Sequence, residues 1–253
     1  MLSVLKSAVP DSVKWKLRKW VWMRLNPSWQ LKSGIVIRVL NYNDWMIYND
    51  IFVDGEYDAA IQQLFTGNGG TARVLDLGAN VGFFTLRVAD TLLRRGIHDF
   101  ESALIEGSPS TFAELKERLA ANDALLANRL TVVNGLVGNR MGHATIVETP
   151  SHGENTILGT TRKGREVSFV DVEEIVRKWD RIDLLKCDIE GAEELFLANY
   201  PAVCRKARAA VFEFHHDSCD IPHCRQLLAE AGLPTQVVVR EFGRCSVELF
   251  SRA

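Results

Sequence analysis

Disulfide chemistry has little to work with in this chain. Its five cysteines (Cys187, Cys204, Cys219, Cys224, Cys245) are odd in number and absent from the first 186 residues. That excludes a disulfide scaffold and points to free thiols in a reducing compartment. No apolar run approaches the ~18 residues of a membrane-spanning helix. The apolar start is broken by Pro10 and then by alternating charges, so the continuous apolar core of a secretion signal is missing. A cytoplasmic protein is expected. Proline is sparse, at seven, and there are neither internal repeats nor low-complexity linkers. The 253 residues are 47% hydrophobic and 25% charged, which excludes disordered and collagen-like chains and leaves enough for one sizeable core.

Net charge is nearly absent as well, at −2, and gives no ground for a nucleic-acid partner. That average hides an asymmetry. Residues 1–32 hold seven basic side chains against Asp11, a net +6, and the remainder sums to −8. Four of the six tryptophans (Trp15, Trp20, Trp22, Trp29) share that short basic head. Val13, Leu17, Trp20, Val21 and Leu25 fall at helical spacing, and Asn26-Pro27 ends the run. A basic amphipathic helix over 11–25 can make peripheral contact with the inner face of an anionic membrane. It can equally pack on the acidic body or join two copies into a homodimer. The chain is therefore divided into a basic, Trp-rich helical extension, 1–45, and a catalytic body, 46–253.

Ile35–Leu40 reads as a β segment and Tyr57–Phe65 as a short helix. Strands then alternate with helices: Arg73–Leu77, Ser102–Ile105, Leu130–Val133, Asp183–Cys187 and Ala209–Phe214, with helices over Val81–Leu93, Pro109–Leu126, Asp171–Trp179, Ala192–Ala198 and Cys224–Ala231. A less regular stretch, 138–168, carries strands at Ala144–Glu148 and Val167–Val170. Alternation of this kind predicts an α/β fold, a doubly wound and mostly parallel sheet. Gln236–Val239 and Cys245–Phe250 are too close in sequence for a parallel crossover, so the seventh and last strand must run antiparallel.

The most informative segment is Asp76-Leu77-Gly78-Ala79-Asn80-Val81-Gly82-Phe83, an apolar strand running into a glycine-rich turn that opens a helix. In open α/β sheets ligands bind outside the carboxyl ends of the strands, where this turn lies. Gly78 and Gly82 would let the backbone approach a ligand closely. The next strand ends at Glu106, whose carboxylate can accept both hydroxyls of a ribose. A dinucleotide needs G-x-G-x-x-G; here Asn80 occupies the position that must clear a pyrophosphate, which disfavours an NAD-dependent oxidoreductase. Asp76 adds negative charge suited to a ligand bearing a cation, such as S-adenosylmethionine.

A second signature is Lys186-Cys187-Asp188-Ile189-Glu190-Gly191-Ala192-Glu193. Strand alternation puts Lys186 and Asp188 on one face, with Asp188 at the strand's carboxyl end. Glu190 and Glu193 fall where a first helical turn is expected, a position that favours acids.

Taken together, the Asp76–Phe83 turn, Ile105-Glu106-Gly107-Ser108-Pro109, the Lys186–Glu193 block, Glu213-Phe214-His215 and Glu56-Tyr57 resemble the FkbM family of S-adenosylmethionine-dependent methyltransferases. The resemblance covers roughly 50–235. It implies a class I, Rossmann-like methyltransferase that moves a methyl group to a hydroxyl of a sugar, glycan or secondary metabolite, leaving S-adenosylhomocysteine; membrane contact by the basic helix would make a lipid-linked saccharide the acceptor. It implies that Asp76, Gly78, Asn80 and Gly82 hold the methionine end and Glu106 the ribose, that Asn134, Gly135 and Leu136 flank the adenine, and that Tyr57, Ala79, Phe83, Gly107, Ser108 and Asp188 also line the cofactor site. Asp188 and His215 are the candidate general bases, since both end strands on the cofactor side. Three histidines and two cysteines over Glu213–Cys224 match no zinc spacing; a divalent ion around Asp188 is the other metal option, and no metal ligand is assigned. A non-catalytic S-adenosylmethionine-binding scaffold is the alternative that keeps the turn without the chemistry.

Overall fold

The computed structural model describes residues 25, 27–66, 69–147, 156–157 and 164–253. Apart from Leu25, the basic helix expected over 11–25 lies outside the described residues. Its strands are β1 (Ser28–Gln30), β2 (Val36–Arg38), β3 (Ala72–Leu77), β4 (Phe100–Glu106), β5 (Leu130–Asn134), β6 (His143–Val147), β7 (Thr156–Ile157), β8 (Arg165–Ser168), β9 (Leu184–Cys187), β10 (Ala209–His215), β11 (Thr235–Phe242) and β12 (Cys245–Ser251). Its helices are α1 (Tyr42–Tyr48), α2 (Asp58–Gln62), α3 (Phe83–Arg94), α4 (Pro109–Ala120), α5 (Asp123–Leu126), α6 (Val172–Ile175), α7 (Glu193–Asn199), α8 (Pro201–Lys206) and α9 (Ile221–Glu230).

Seven strands form one sheet in the order β11-β12-β10-β9-β3-β4-β5. β3, β4, β5, β9 and β10 run parallel, while β12 is antiparallel to both β10 and β11. The antiparallel last strand expected from the short connection is thus present. Each central strand buries both faces. Val74, Leu184 and Val211 enter one core, and Leu75, Leu185 and Phe212 the other. By that alternation Asp76, Lys186 and Glu213 stand on the first face. The chain leaves β3 toward β4 and β5, then returns to lay β9 on β3's other side. The switch point therefore opens between the carboxyl ends of β3 and β9, where an α/β sheet binds its ligand.

Several expectations need correction. The helix expected over 109–126 is two helices, because Asn122 leaves the helical path to bracket β2: its side chain accepts from Val36 N at 2.7 Å and donates to Val36 O at 3.0 Å. The helix expected over 171–179 stops at Ile175, and Trp179 instead donates its indole N–H to Glu101 at 2.7 Å. The 138–168 stretch forms a separate antiparallel sheet, β7-β6-β8. β1, α1, the π-turn Asn49–Val53 and α8 were not foreseen. Packing is continuous across residue 45: Ile35, Ile37 and Val39 are fully buried with Val81 and Leu115. Asp44, also fully buried, pairs with the equally buried Arg118. No helix among the described residues is long and apolar enough to cross a membrane.

Candidate active site

The turn after β3 needs three left-handed residues, Gly78 (φ +73°), Asn80 (φ +49°) and Gly82 (φ +89°). Asparagine is one of the few side chains that tolerate this region. The two glycines serve different ends. A Cβ at 78 would sit 1.6 Å from the backbone oxygen of Asp188, so the approach of the β3 and β9 ends excludes any side chain there. A Cβ at 82 would meet Leu115 Cδ1 at 2.6 Å; Gly82 packs on α4 and lines neither of the two clefts described below.

Across the turn, Glu106 is 8% exposed. Its Oε2 accepts from Asn80 N at 2.8 Å and its Oε1 from Ser108 N at 2.7 Å. Burial pushes its carboxyl up to about 7, against those two backbone N–H groups. Gly78, Asn80, Glu106, Gly107, Ser108, Gly135, Leu136 and Asp188 line one cleft together with Ile146 of the small sheet. Glycine is required at 135 because a Cβ there would stand 2.3 Å from Val170 Cγ1.

Asp76 is fully buried and lines neither this cleft nor the next. Its Oδ2 accepts the Thr85 hydroxyl at 2.8 Å and its Oδ1 lies 3.7 Å from Lys186 Nζ. The cation expected beside Asp76 is thus supplied by the protein's own lysine. Burial raises the Asp76 carboxyl, with Lys186 and Thr85 opposing. Lys186 Nζ also donates to Gly78 O at 2.6 Å and Asp188 Oδ2 at 3.2 Å. Burial alone would strip its proton; Asp188 and Asp76 outweigh that and hold it above the usual lysine range.

A larger cleft adjoins the first. Tyr57, Ala79 and Phe83 line it with Glu56, Glu213 and His215, and Asn80, Asp188 and Glu190 border both spaces. Tyr57 is 5% exposed and packs edge-on against Phe84. Burial, then Asp188, lift its hydroxyl well above the ordinary tyrosine value. Glu213 is pushed up to about 9 by burial and by the neighbouring Asp188. His215 stands between two carboxylates, Nε2 at 3.3 Å from Glu190 Oε2 and Nδ1 at 3.4 Å from Glu193 Oε1. Burial would lower its proton affinity, but Glu190 and Glu193 raise it to about 12. The two carboxylates favour the protonated ring over the free base that its strand-end position suggested.

Sequence reasoning brought most of these residues to the right end of the sheet and missed four roles. Lys186 is the cation under the turn. Glu213 lies two residues before His215, so strand alternation alone puts it on the same face. Glu190 does not begin a helix; it sits in the loop at φ +56° and reaches His215. Glu193 is fully buried and binds loop backbone. Asp188, Glu190 and His215 also offer ligand atoms within 4.8 Å of one another, with Lys186 and the His215 cation already among those carboxylates.

A family model described as the methyltransferase FkbM domain matches residues 76–233. No curated protein matches the sequence. Among solved structures, the methyltransferase FkbM from Methylobacillus flagellatus KT is similar at a TM-score of 0.50 and 15% identity, over 95% of this chain and 59% of that one. The precorrin-6y C5,15-methyltransferase from Geobacter metallireducens GS-15 is similar at 0.46 and 10%, over 79% and 89%. The N-terminal domain of EvdMO1 with SAH bound is similar at 0.49 and 14%, over 98% and 99%.

Proposed function

The chain belongs to the FkbM methyltransferase family and takes S-adenosylmethionine as its methyl donor; from that premise we propose that it methylates a hydroxyl of a sugar, glycan or related small metabolite. The observation that carries this reading is the meeting of two clefts at Asn80, Asp188 and Glu190. One has the glycine turn and ribose-type carboxylate of a nucleoside site; the other is open enough for an acceptor. In this reading Glu106 accepts the ribose hydroxyls, Gly107 and Ser108 flank them, and Gly135, Leu136 and Ile146 enclose the adenine. The methionine end extends toward Gly78, Ala79 and Asn80, with Tyr57 and Phe83 beyond.

Methyl transfer is an in-line displacement, so the residues at the junction must align the two reactants and exclude water. The acceptor oxygen bonds to the methyl carbon, the carbon–sulfur bond breaks, and its electron pair stays on sulfur. The hydroxyl proton goes to Asp188, one of the two carboxylates shared by both clefts and the one at the end of β9. His215, set between Glu190 and Glu193, contributes charge in its protonated form. Titration calorimetry with S-adenosylhomocysteine and with NAD, followed by methyl incorporation into a panel of hydroxylated and aminated glycans, tests this. Absence of S-adenosylhomocysteine binding removes the cofactor assignment, and methylation confined to amines removes the hydroxyl.

We further place the protein in the cytoplasm, with residues 11–25 touching an anionic membrane face that would present a lipid-linked acceptor. The +6 charge of residues 1–32 supports this. Flotation with anionic vesicles should retain the full chain and lose a Lys14→Glu/Lys16→Glu/Lys19→Glu variant. Equal flotation of the two would sink the membrane role, and a shift from dimer to monomer in the variant would instead favour docking between copies.

A further inference from the structure

The fully buried Glu193 lies one shell away from both clefts, yet four groups converge on it. Its Oε1 accepts from Ile189 N at 3.0 Å and Gly191 N at 3.2 Å, and lies 3.4 Å from His215 Nδ1. Its Oε2 accepts from the Cys219 thiol at 3.2 Å. The loop it ties down is an unusual one, with Glu190 at φ +56° and Gly191 at φ +94° in succession. A Cβ at 191 would fall 2.7 Å from Ser218 Cβ, so the loop is pressed against the segment that follows β10. Helix-dipole stabilisation would need neither full burial nor these partners.

We propose that Glu193 is the positioning residue of this site: it closes the Nδ1 side of His215 with a carboxylate, so that the imidazolium presents Nε2 to Glu190 at the junction of the two clefts. The same carboxylate fixes the backbone that carries Glu190. A buried carboxylate beside Nδ1 also favours the charged ring. Lys186, Arg240 and Arg244 line the same cleft as His215 and act against its charge. The ionisable groups beside its ring are Glu190 and Asp188 from the β9–α7 loop, Glu213 on its own strand and Cys245 on β12. Three of these four are acids, so each ionised carboxylate reinforces the imidazolium. Two carboxylates bracketing one imidazole deliver a fixed positive charge to the place where the acceptor meets the methyl group.

The kinetic part of this inference rests on the methyl-transfer reading; the titration part does not. Full-length protein with isotope-labelled histidine, His215 assigned by loss of its signal in His215→Asn, is titrated by NMR. The wild-type ring should stay protonated well past the ordinary histidine value, and Glu193→Gln should lower its midpoint by at least ~1 unit, a tenfold loss of proton affinity. In the same variant kcat should fall by ~10-fold or more while S-adenosylhomocysteine affinity changes by less than ~3-fold, the pattern of a lost transition-state interaction. A wild-type His215 that titrates near its ordinary value overturns the proposal, as does an unchanged midpoint in the variant. Should Glu193→Gln not fold, the wild-type titration still decides, and Glu193→Asp supplies the comparison. Normal clamp behaviour without S-adenosylhomocysteine binding would overturn the methyl-transfer reading and leave the clamp standing.

Discussion

Gly78 and Asp188 meet backbone to backbone: a Cβ on residue 78 would overlap the Asp188 carbonyl oxygen at 1.6 Å. This contact closes the floor between the two central strands, at the switch point of the sheet. Gly78→Ala is therefore expected to abolish S-adenosylhomocysteine binding and lower the melting temperature, because the φ of +73° is costly for alanine as well. A Gly78→Ala protein with wild-type affinity by calorimetry would show that the strand ends part at no cost.

Glu106 supplies a pH dependence. Its folded-state value, raised to about 7, lies above its ordinary one. Its contribution to folding is therefore present at low pH and lost as pH rises through about 7. Ribose hydroxyls donate best to the ionised carboxylate, so ligand binding runs the other way. S-adenosylhomocysteine affinity should rise by ~3- to 10-fold between about pH 6 and 8. In Glu106→Gln that rise should vanish and binding should be weaker throughout, as read by calorimetry across the range.

At the junction, Asp188→Asn removes the proposed proton acceptor while leaving a side chain of the same shape. Methyl-transfer kcat should drop by ~100-fold or more, the scale of a lost general base. The loss of S-adenosylhomocysteine affinity should be much smaller. Equal losses in both quantities would assign Asp188 to the cofactor alone.

The buried pair Arg118–Asp44 ties α4 to the start of α1, and Arg118 Nε also donates to Arg38 O at 3.3 Å. Removing one member strands the other charge in the interior. Arg118→Met should destabilise the protein by ~3–5 kcal/mol in urea unfolding. The double variant with Asp44→Leu should recover part of the loss; no recovery would mean that Arg118 acts through packing instead.

The sheet could be read from sequence because each central strand is a short apolar run bounded by turn residues, and because five residues cannot carry a parallel crossover. The glycine turn and Glu106 were legible for a related reason: their chemistry is local, within one strand–turn–helix unit. What escaped was non-local. Asn122 ends α4 to satisfy the backbone of Val36, 86 positions away, and no helical signal carries that instruction. Asp76 was assigned to a cationic ligand because nothing in its neighbourhood reveals Lys186, 110 residues on, as the group that occupies it. His215 read as a free base for the same reason. Of its two acids, Glu190 sits in a loop whose left-handed residues move it out of the helix that its spacing suggested, and Glu193 opens α7.

The two clefts share Asn80, Asp188 and Glu190, and shared walls make their occupants thermodynamic neighbours. Whatever one ligand does to the arrangement of these three side chains changes the affinity for the other by an equal factor in both directions. A donor that settles them prepares the acceptor's place. In the proposed reading a spent donor, having lost its charge at sulfur, would settle them differently and so bear on how readily the methylated product departs.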